Sequence, residues 1–161
     1  MKSVVIGSYA RSPFTLAKKG ELARVRPDDL AAQTVRALVQ RTGVDPAEIE
    51  DLLVGCAFPE GEQGFNVARI IGFLAELPLS VGGATVNRFC GSSMQAIHMA
   101  AGAIQMNAGE VFLCAGVESM TRAPFVYGKQ STGFSREAPT VYDTTIGWRF
   151  VNPNFPHSTE A

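Results

Sequence analysis

The stretch "TVNRFCGSSMQAIHMAAGAIQ", from Thr85 to Gln105, joins two sequence patterns through a cysteine. It begins with β-branched residues typical of a strand, and from Ser92 onward its apolar residues recur at helical spacing. Cys90 lies between the two patterns and is followed by small residues that allow a tight turn. The stretch therefore predicts a strand, a sharp corner and a helix, with a thiol at the corner.

Length, composition and charge exclude several classes of protein. The chain has 161 residues, of which 46% are apolar, and its formal net charge is −1, which suits one globular domain with a buried core. Scattered lysines and arginines give no basic face for nucleic acid, and the apolar runs are shorter than the roughly 20 residues that cross a bilayer. Cys56, Cys90 and Cys114 lack the pairing of a disulfide framework or a metal site. We therefore expect a reducing compartment, the cytoplasm.

Strand-like and helix-like segments alternate along the chain, which predicts the α/β class with a mixed, mostly parallel sheet flanked by helices. Strands are predicted at 3–10, 51–58, 80–89 and 110–116. Helices are predicted at 26–43, with Pro27 as the first helical residue, at 65–77 and at 92–109, and a short one after the Asp45 cap. Core-facing positions are expected at Leu30, Thr34, Val35, Leu38 and Val39, then Phe65, Ala68, Ile71 or Gly72 and Leu74 or Ala75, then Met94, Ile97, Ala101, Ile104 and Ala108.

The segment past Glu118 has a different character. Prolines and glycines interrupt it often, and no apolar period persists. It is still rich in large side chains that favour burial: Phe125, Val126, Tyr127, Phe134, Trp148 and Phe150. A packed terminal loop is one interpretation. We favour the other, the opening of a further subdomain whose remainder is missing, and we expect something to cover these side chains.

Cys90 has the surroundings that a nucleophilic thiolate requires. A cysteine at the start of a helix lies near unpaired backbone N–H groups and the positive end of the helix dipole, and both favour the thiolate. Gly91, Ser92 and Ser93 leave room for a substrate, so main-chain amides can face a developing oxyanion. Cys90 is therefore a candidate nucleophile for acyl transfer, although a structural cysteine fits the same residues.

The other cysteines and the two histidines are weaker candidates. Cys56 and Cys114 lie within strand-like apolar runs, so we predict structural roles for both. His98 lies eight residues beyond Cys90 on the predicted helix, about 12 Å along the axis, whereas a general base must come within roughly 3 Å of the thiol. We expect His98 to pack or hydrogen bond beside the core, and His157 to be a solvated loop residue.

Four segments resemble the thiolases, enzymes that cleave or form 3-ketoacyl-CoA. "VNRFCGSSMQAIH" (86–98) resembles the nucleophile segment of that family. "AGVESMTRAPF" (115–125) resembles a second segment that leads into an inserted loop domain, and "RSPF" (11–14) resembles the family's start. "YDTTIGWRFVNP" (142–153) is similar to thiolases that act on 3-oxoacyl-CoA or 3-oxoadipyl-CoA.

The resemblance implies a fold and a division into domains. It implies the first half of the thiolase layered fold, with residues 1–119 as the N-terminal core domain. Residues 120–161 would be the start of the loop domain, which serves substrate binding or tetramerisation and is truncated here. Full-length relatives are dimers or tetramers, and "GATVNRF" (83–89) resembles the strand that they pair across a dimer two-fold.

The resemblance also implies an acyltransferase reaction. Cys90 would attack the 3-keto carbon, acetyl-CoA would leave, and a new CoA would take the acyl group. Asn87 and Arg88 would shape the strand end that holds the nucleophile, and Gly91 and Ser92 the helix start. CoA and acyl-CoA would be the substrates, with no permanently bound cofactor and no metal.

Other family segments are not found in this sequence. It has no Asn-Glu-Ala-Phe-like segment, no Gly-His-Pro segment for the base that activates the nucleophile, and no later Cys-x-Gly segment for a second acid/base cysteine. We therefore expect the 161-residue chain alone to be inactive and its parent protein to be longer.

Some roles stay open at this stage. Glu118 and Met120 fit either the lining of the site or packing after the strand, and Arg122 is expected to be a solvent-exposed loop residue rather than a ligand of a CoA phosphate. CoA contacts are not assigned. The alternative function is a noncatalytic thiolase-like protein that binds acyl-CoA or lipid. A ketoacyl synthase is disfavoured by "VNRFCGSSMQ" (86–95).

Overall fold

The computed structural model describes residues 2–130, 133 and 138–155. Its α-helices are α1 (Pro27–Thr42), α2 (Val67–Leu74) and α3 (Ser92–Gln105). Its strands are β1 (Ile49–Gly55), β2 (Ala84–Val86), β3 (Val111–Gly116), β4 (Phe125–Tyr127) and β5 (Val141–Asp143). Single 3₁₀ turns lie at Glu21–Arg24, Pro46–Glu48 and Gly61–Gln63. The predicted α/β class is confirmed.

The main sheet is parallel, with strand order β2-β1-β3. Leu53 of β1 lies opposite Ala84 of β2 and Cys114 of β3, which fixes the register of all three strands. Because β1 is the central strand, Leu52 through Gly55 are buried on both faces. This burial explains why β1 is apolar from Leu52 to Gly55, after the charged residues Glu50 and Asp51.

Helices cover both faces of the main sheet. Side chains from α1 and α2 pack with Leu52 and Val54 in one buried cluster. Ala96 and Ala100 of α3 pack with Leu53 in a second cluster. Because side chains alternate between the faces of a strand, α3 lies on the face opposite to α1 and α2.

The first helix forms as its sequence predicts. Pro27 is its first residue, Asp28 and Asp29 lie in its first turn, and it ends at Gly43, which has φ 68°. Glycine adopts that left-handed conformation without a steric penalty, so the helix stops there.

The buried face of α3 differs from the prediction. Met94 is 60% exposed and Ile97 is 42% exposed, whereas Ser92, Ala96 and Ala100 are buried. Both faces of this helix are apolar, so the periodicity could not choose between them. The small residues face the sheet because the helix backbone approaches the strands closely, as described below.

Residues 3–10 were predicted to form a strand, and this prediction is wrong for the described structure. No regular secondary structure is assigned from residue 2 to residue 16, and Val5 and Tyr9 are each 82% exposed. A cleft of about 920 Å³ lies between this segment, α1, α3 and β3. An apolar segment becomes a strand only when a neighbour pairs with its backbone and covers a face, and here the segment stands away from β3.

Two further strand predictions and one prediction for the second helix need correction. The buried strand expected at 80–89 is reduced to the three half-buried residues of β2, which pairs with β1 at one edge of the described sheet. Cys56 lies one residue beyond β1, although its N–H still donates to Val86 O (3.0 Å). The core residue Phe65 expected in the second helix precedes α2 and is 96% exposed.

The segment after residue 119 forms a short antiparallel ladder of β4 and β5. Thr144, which follows β5, is fully buried, and both its N–H and its hydroxyl donate to Pro124 O. Of the side chains that favour burial, Phe125 is 70% exposed, Tyr127 65%, Trp148 56% and Phe150 55%, whereas Val126 is half-buried. Phe134 lies outside the described residues.

Candidate active site

The carboxyl ends of β1, β2 and β3 meet at one edge of the parallel sheet, as parallel pairing requires. The segments that leave these ends include Cys56, Cys90 and Glu118, one after each strand. Open parallel sheets bind ligands at this edge. The candidate nucleophile therefore lies where the fold places functional side chains.

Hydrogen bonds with Ser92 fix the turn that presents Cys90. The Ser92 hydroxyl, which is buried, accepts from Arg88 N (2.8 Å) and donates to Phe89 O (2.6 Å). The Gly91 N–H donates to Arg88 O (3.1 Å) and closes the same turn. Gly91 is the N-cap residue of α3, so Cys90 lies directly before the first turn of that helix.

Two glycines let α3 approach the sheet at this point. A side-chain Cβ on Gly55 would lie 2.3 Å from Ser93 N, and one on Gly116 would lie 3.0 Å from Ser93 Cβ. Gly55 and Gly116 are register partners at the ends of β1 and β3. The start of α3 therefore packs directly on the backbone of β1 and β3 at these glycines. This packing fixes the position of Cys90 relative to the sheet.

Asn87 connects the Cys90 turn to the loop after β1. Its side-chain amide donates to Ala57 O (3.0 Å), and its Oδ1 accepts from Phe89 N (3.0 Å). Phe89, the residue before Cys90, has φ 49°, a left-handed conformation that is uncommon for a bulky residue. The Asn87 bond to its N–H therefore stabilises a backbone that the sequence alone does not favour.

Cys90 itself is exposed, as a nucleophile for a bulky thioester must be. Its backbone position, one residue before the N-cap Gly91, places residue 90 at the helix end that carries unpaired N–H groups and the positive end of the helix dipole. Such groups stabilise both a thiolate and an oxyanion that forms beside it. Arg88 is also exposed, and its guanidinium donates to Gln95 Oε1 on α3.

The other two cysteines have different environments. Cys56 is 1% exposed, and burial, followed by the nearby Glu118 carboxylate, raises the pKa of its thiol to about 12. Cys114 is half-buried; burial raises the pKa of its thiol, which donates to Ala96 O at 3.5 Å. Both thiols stay protonated at neutral pH, which supports the structural roles predicted for them.

Glu118 and Gln63 join the loop after β1 to the segment after β3. Glu118 Oε2 accepts from Ala57 N (2.8 Å), and its Oε1 accepts from Phe58 N (3.4 Å) and from Gln63 Nε2 (2.5 Å). Gln63 is 3% exposed and also accepts from Ser119 N through Oε1 (2.9 Å). Sequence reasoning missed Gln63, because a single glutamine in a glycine-rich loop gives no signal of burial.

Arg122 is not the solvent-exposed loop residue that was expected. It is half-buried and forms a two-point ion pair with Glu62, which also lies 3.3 Å from Arg26 NH1. Arg26 in turn pairs with Asp28, a buried residue in the first turn of α1. The hydrogen bond from Arg122 is the largest cause that lowers the pKa of Glu62, and the carboxylate of Glu62 raises the pKa of Arg122.

His98 lies on an exposed position of α3, so the expectation that it packs beside the core is wrong. His157 lies outside the described residues. Within residues 2–130, 133 and 138–155, no cluster of three or more His, Cys, Asp and Glu side chains is arranged to hold a metal ion. In the same described ranges, no helix has the length and hydropathy needed to cross a membrane.

A cysteine at a helix start, beside the carboxyl ends of parallel strands, is one arrangement that can host acyl transfer, and comparison with known proteins identifies the family. The sequence matches the family "Thiolase, N-terminal domain" over residues 4–151. The chain therefore belongs to the thiolase family.

Individual relatives agree with this assignment. The chain is 53% identical to the 3-oxoadipyl-CoA/3-oxo-5,6-dehydrosuberyl-CoA thiolase of Escherichia coli K12, over 83% of this chain and 33% of that protein. It is 46% identical to the beta-ketoadipyl-CoA thiolase of Acinetobacter baylyi, over 95% and 38%. It is 45% identical to the 3-ketoacyl-CoA thiolase of Bacillus subtilis, over 88% and 37%. The chain thus spans 33–38% of the length of these relatives.

Proposed function

We propose that this chain supplies the nucleophile of a thiolase, with Cys90 as the residue that forms the acyl-enzyme. The observation that supports this most directly is the exposed sulfur directly before the first turn of α3. Asn87, Arg88, Gly91 and Ser92 support the nucleophile by holding the turn, as the hydrogen bonds of Ser92 and Asn87 indicate.

The proposed reaction proceeds in two steps. The Cys90 thiolate forms a bond to C3 of a 3-ketoacyl-CoA, the C2–C3 bond breaks, and its electron pair takes up a proton and leaves as acetyl-CoA. The thiol of a new CoA then attacks the Cys90 thioester, takes the acyl group and returns the proton. Covalent capture on sulfur divides one difficult carbon–carbon cleavage into two easier steps. CoA thioesters are then substrates, and no resident cofactor is needed.

The substrate class follows from the relatives. Two of them are named for 3-oxoadipyl-CoA or beta-ketoadipyl-CoA, and a third for 3-ketoacyl-CoA. We propose a 3-oxoacyl-CoA for this chain, with 3-oxoadipyl-CoA as the first substrate to test.

The group that takes the Cys90 proton is proposed to lie outside these 161 residues. His98 is far along α3, and the chain covers little more than a third of its relatives. The exposed aromatic residues of the segment 120–155 fit the same proposal, since a loop domain completed by further chain would cover them. A homodimer or homotetramer of the complete protein would pair the outer edge of β2 with a second copy.

The test is acylation of the chain by acetyl-CoA at alkaline pH, where solvent can take the thiol proton. We expect one acetyl thioester on Cys90, located by tandem mass spectrometry and removed by hydroxylamine. Cys90→Ser abolishes it, whereas the matched variant Cys114→Ser retains it. Label that survives in Cys90→Ser contradicts the assignment. Turnover of a 3-ketoacyl-CoA and CoA by the chain alone at roughly 1–1000 per second would contradict an external base.

A second candidate is a noncatalytic protein that binds acyl-CoA or lipid. The cleft of about 920 Å³ beside β3 favours it, because apolar side chains from α1 and α3 line that cleft. In that case a fatty acyl ligand binds equally well to wild type and to Cys90→Ser, and no thioester forms on wild type.

A further inference from the structure

A continuous series of hydrogen bonds joins Glu118 to the Cys90 corner. Glu118 Oε2 accepts from Ala57 N, and Ala57 O accepts from the Asn87 side chain. Asn87 Oδ1 then accepts from Phe89 N, the amide before Cys90. These bonds are 2.8, 3.0 and 3.0 Å long, so each lies within the normal range.

We propose that Glu118 is a positioning residue that fixes the Cys90 corner through the Ala57 peptide and the Asn87 side chain. The inference rests on the proposed role of Cys90 as the nucleophile. The same peptide of residue 57 is bound at both ends: its N–H by a carboxylate and its carbonyl by an amide. Hydrogen bonds at both ends oppose rotation of this peptide, and its carbonyl therefore orients the Asn87 side chain, whose Oδ1 accepts from Phe89 N.

The series requires a carboxylate rather than any polar side chain. Both oxygens of Glu118 face donors: Ala57 N on one side, and Phe58 N and Gln63 Nε2 on the other. Gln63 cannot turn its amide to offer an acceptor, because its Nε2 also donates to Phe58 O (2.8 Å) and its Oε1 accepts from Ser119 N. A glutamine at position 118 would therefore place an NH₂ group against a donor.

The corner needs this support because its backbone is unfavourable. Phe89 has φ 49° and is 70% exposed, so burial of its ring does not stabilise the conformation. The bond from Phe89 N to Asn87, the Ser92 bonds and the Gly91 turn are what hold it. Loss of the Glu118 carboxylate would therefore weaken the bond between Phe89 N and Asn87 and leave the Ser92 and Gly91 bonds in place.

The test is a double-mutant cycle on the 161-residue chain, read by the rate at which acetyl-CoA modifies Cys90 and by the amide NMR signal of Phe89. We expect Glu118→Gln and Asn87→Ala each to slow the modification at least about fivefold, since the sulfur is no longer held in one place. We expect both to move the Phe89 amide signal. The double variant should be no slower than Asn87→Ala alone, because both substitutions break one series.

The control is Glu48→Gln, an exposed glutamate in the 3₁₀ turn before β1, which removes the same charge at the opposite end of the strand. It should leave the rate within about twofold and the Phe89 signal in place. Rates that multiply in the double variant, or a Phe89 signal unmoved by Glu118→Gln, overturn the proposal.

Two measurements keep the proposal testable if Glu118→Gln does not fold. Scalar couplings across hydrogen bonds in the wild-type chain should link Ala57 N to the Glu118 carboxylate and Phe89 N to the Asn87 amide; their absence rejects the series. If wild-type Cys90 is never acetylated, the proposed function fails, whereas the couplings still decide the role of Glu118. If wild-type Cys90 is acetylated but the double-mutant cycle shows no coupling energy between positions 118 and 87, only the positioning role of Glu118 is rejected.

Discussion

The carboxyl edge of the sheet and the segment 120–155 differ in where their stabilising partners lie. At the edge, Gly55, Ser92 and Asn87 are each matched by a neighbour within the described chain. In the described residues of the segment, Phe125, Tyr127, Trp148 and Phe150 are exposed, and Thr144 alone is fully buried. The comparison teaches that the Cys90 corner has its packing and hydrogen-bond partners within the described chain, whereas most of the large described side chains of the segment are exposed.

Two arginine–glutamate pairs connect these regions. Arg122 pairs with Glu62, and Arg149 pairs with Glu60 while its guanidinium lies 5.4 Å from the ring centroid of Phe58. Both glutamates belong to the loop after β1. Ion pairs therefore attach the segment to the loop after β1, whereas its exposed aromatic side chains bury little apolar surface there.

The largest effect is expected where the edge is most tightly packed. Gly55→Ala would place a methyl group 2.3 Å from Ser93 N, and the backbone that it meets cannot turn aside as a side chain could. We expect a loss of about 3 kcal/mol in the free energy of unfolding, measured by urea denaturation, together with slower acetylation of Cys90.

The matched control is Gly102→Ala in α3, the helix whose start packs against Gly55. Nothing lies within 4 Å of the added methyl group, so only the higher helix propensity of alanine acts. It should stabilise the chain by about 0.5–1 kcal/mol. Equal effects from the two alanines would mean that α3 does not rest on β1.

This close packing also explains what the sequence could and could not predict about α3. The corner was predictable, because β-branched residues, a cysteine, small residues and a helical period follow one another between Thr85 and Gln105. The buried face was not, because Met94 and Ala96 both look apolar in sequence. Gly55 decides between them, and its contact with Ser93 spans parts of the chain that periodicity does not connect.

The same distinction applies to the other predictions. The first helix was predictable from its own residues, since Pro27 and Gly43 mark its ends locally. The strand expected at 3–10 depends on a neighbour for its hydrogen bonds, so its apolar pattern did not suffice. Glu118 and Gln63 were recognisable only after folding had brought their loops together.

A smaller effect is expected at the connection between the two regions, and it depends on pH. In the folded chain, the pKa of Glu62 lies below its ordinary value of 4.5. The pair with Arg122 therefore stabilises the fold fully at pH values above the ordinary pKa. This stabilisation is lost as the pH falls through the pKa of the folded state. Acidification from about pH 7 to about pH 3.5 should therefore destabilise wild type more than Glu62→Gln, by less than about 1 kcal/mol because the pair is partly solvated.

Glu48→Gln provides the comparison for Glu62→Gln, since it removes one exposed carboxylate away from the arginine pairs. Urea denaturation at both pH values measures the difference between the variants. If Glu62→Gln loses as much stability on acidification as Glu48→Gln does, the ion pair contributes nothing to the connection.

The smallest effect is expected in the exposed segment. Phe125 begins β4 and is 70% exposed, so Phe125→Ala removes little buried apolar area and should change the free energy of unfolding by no more than about 0.5 kcal/mol. Urea denaturation at two protein concentrations measures this. A loss of about 2 kcal/mol that grows with concentration would mean that a second copy covers the ring in solution. In that case the segment has a partner after all, and the difference between the two regions disappears on association.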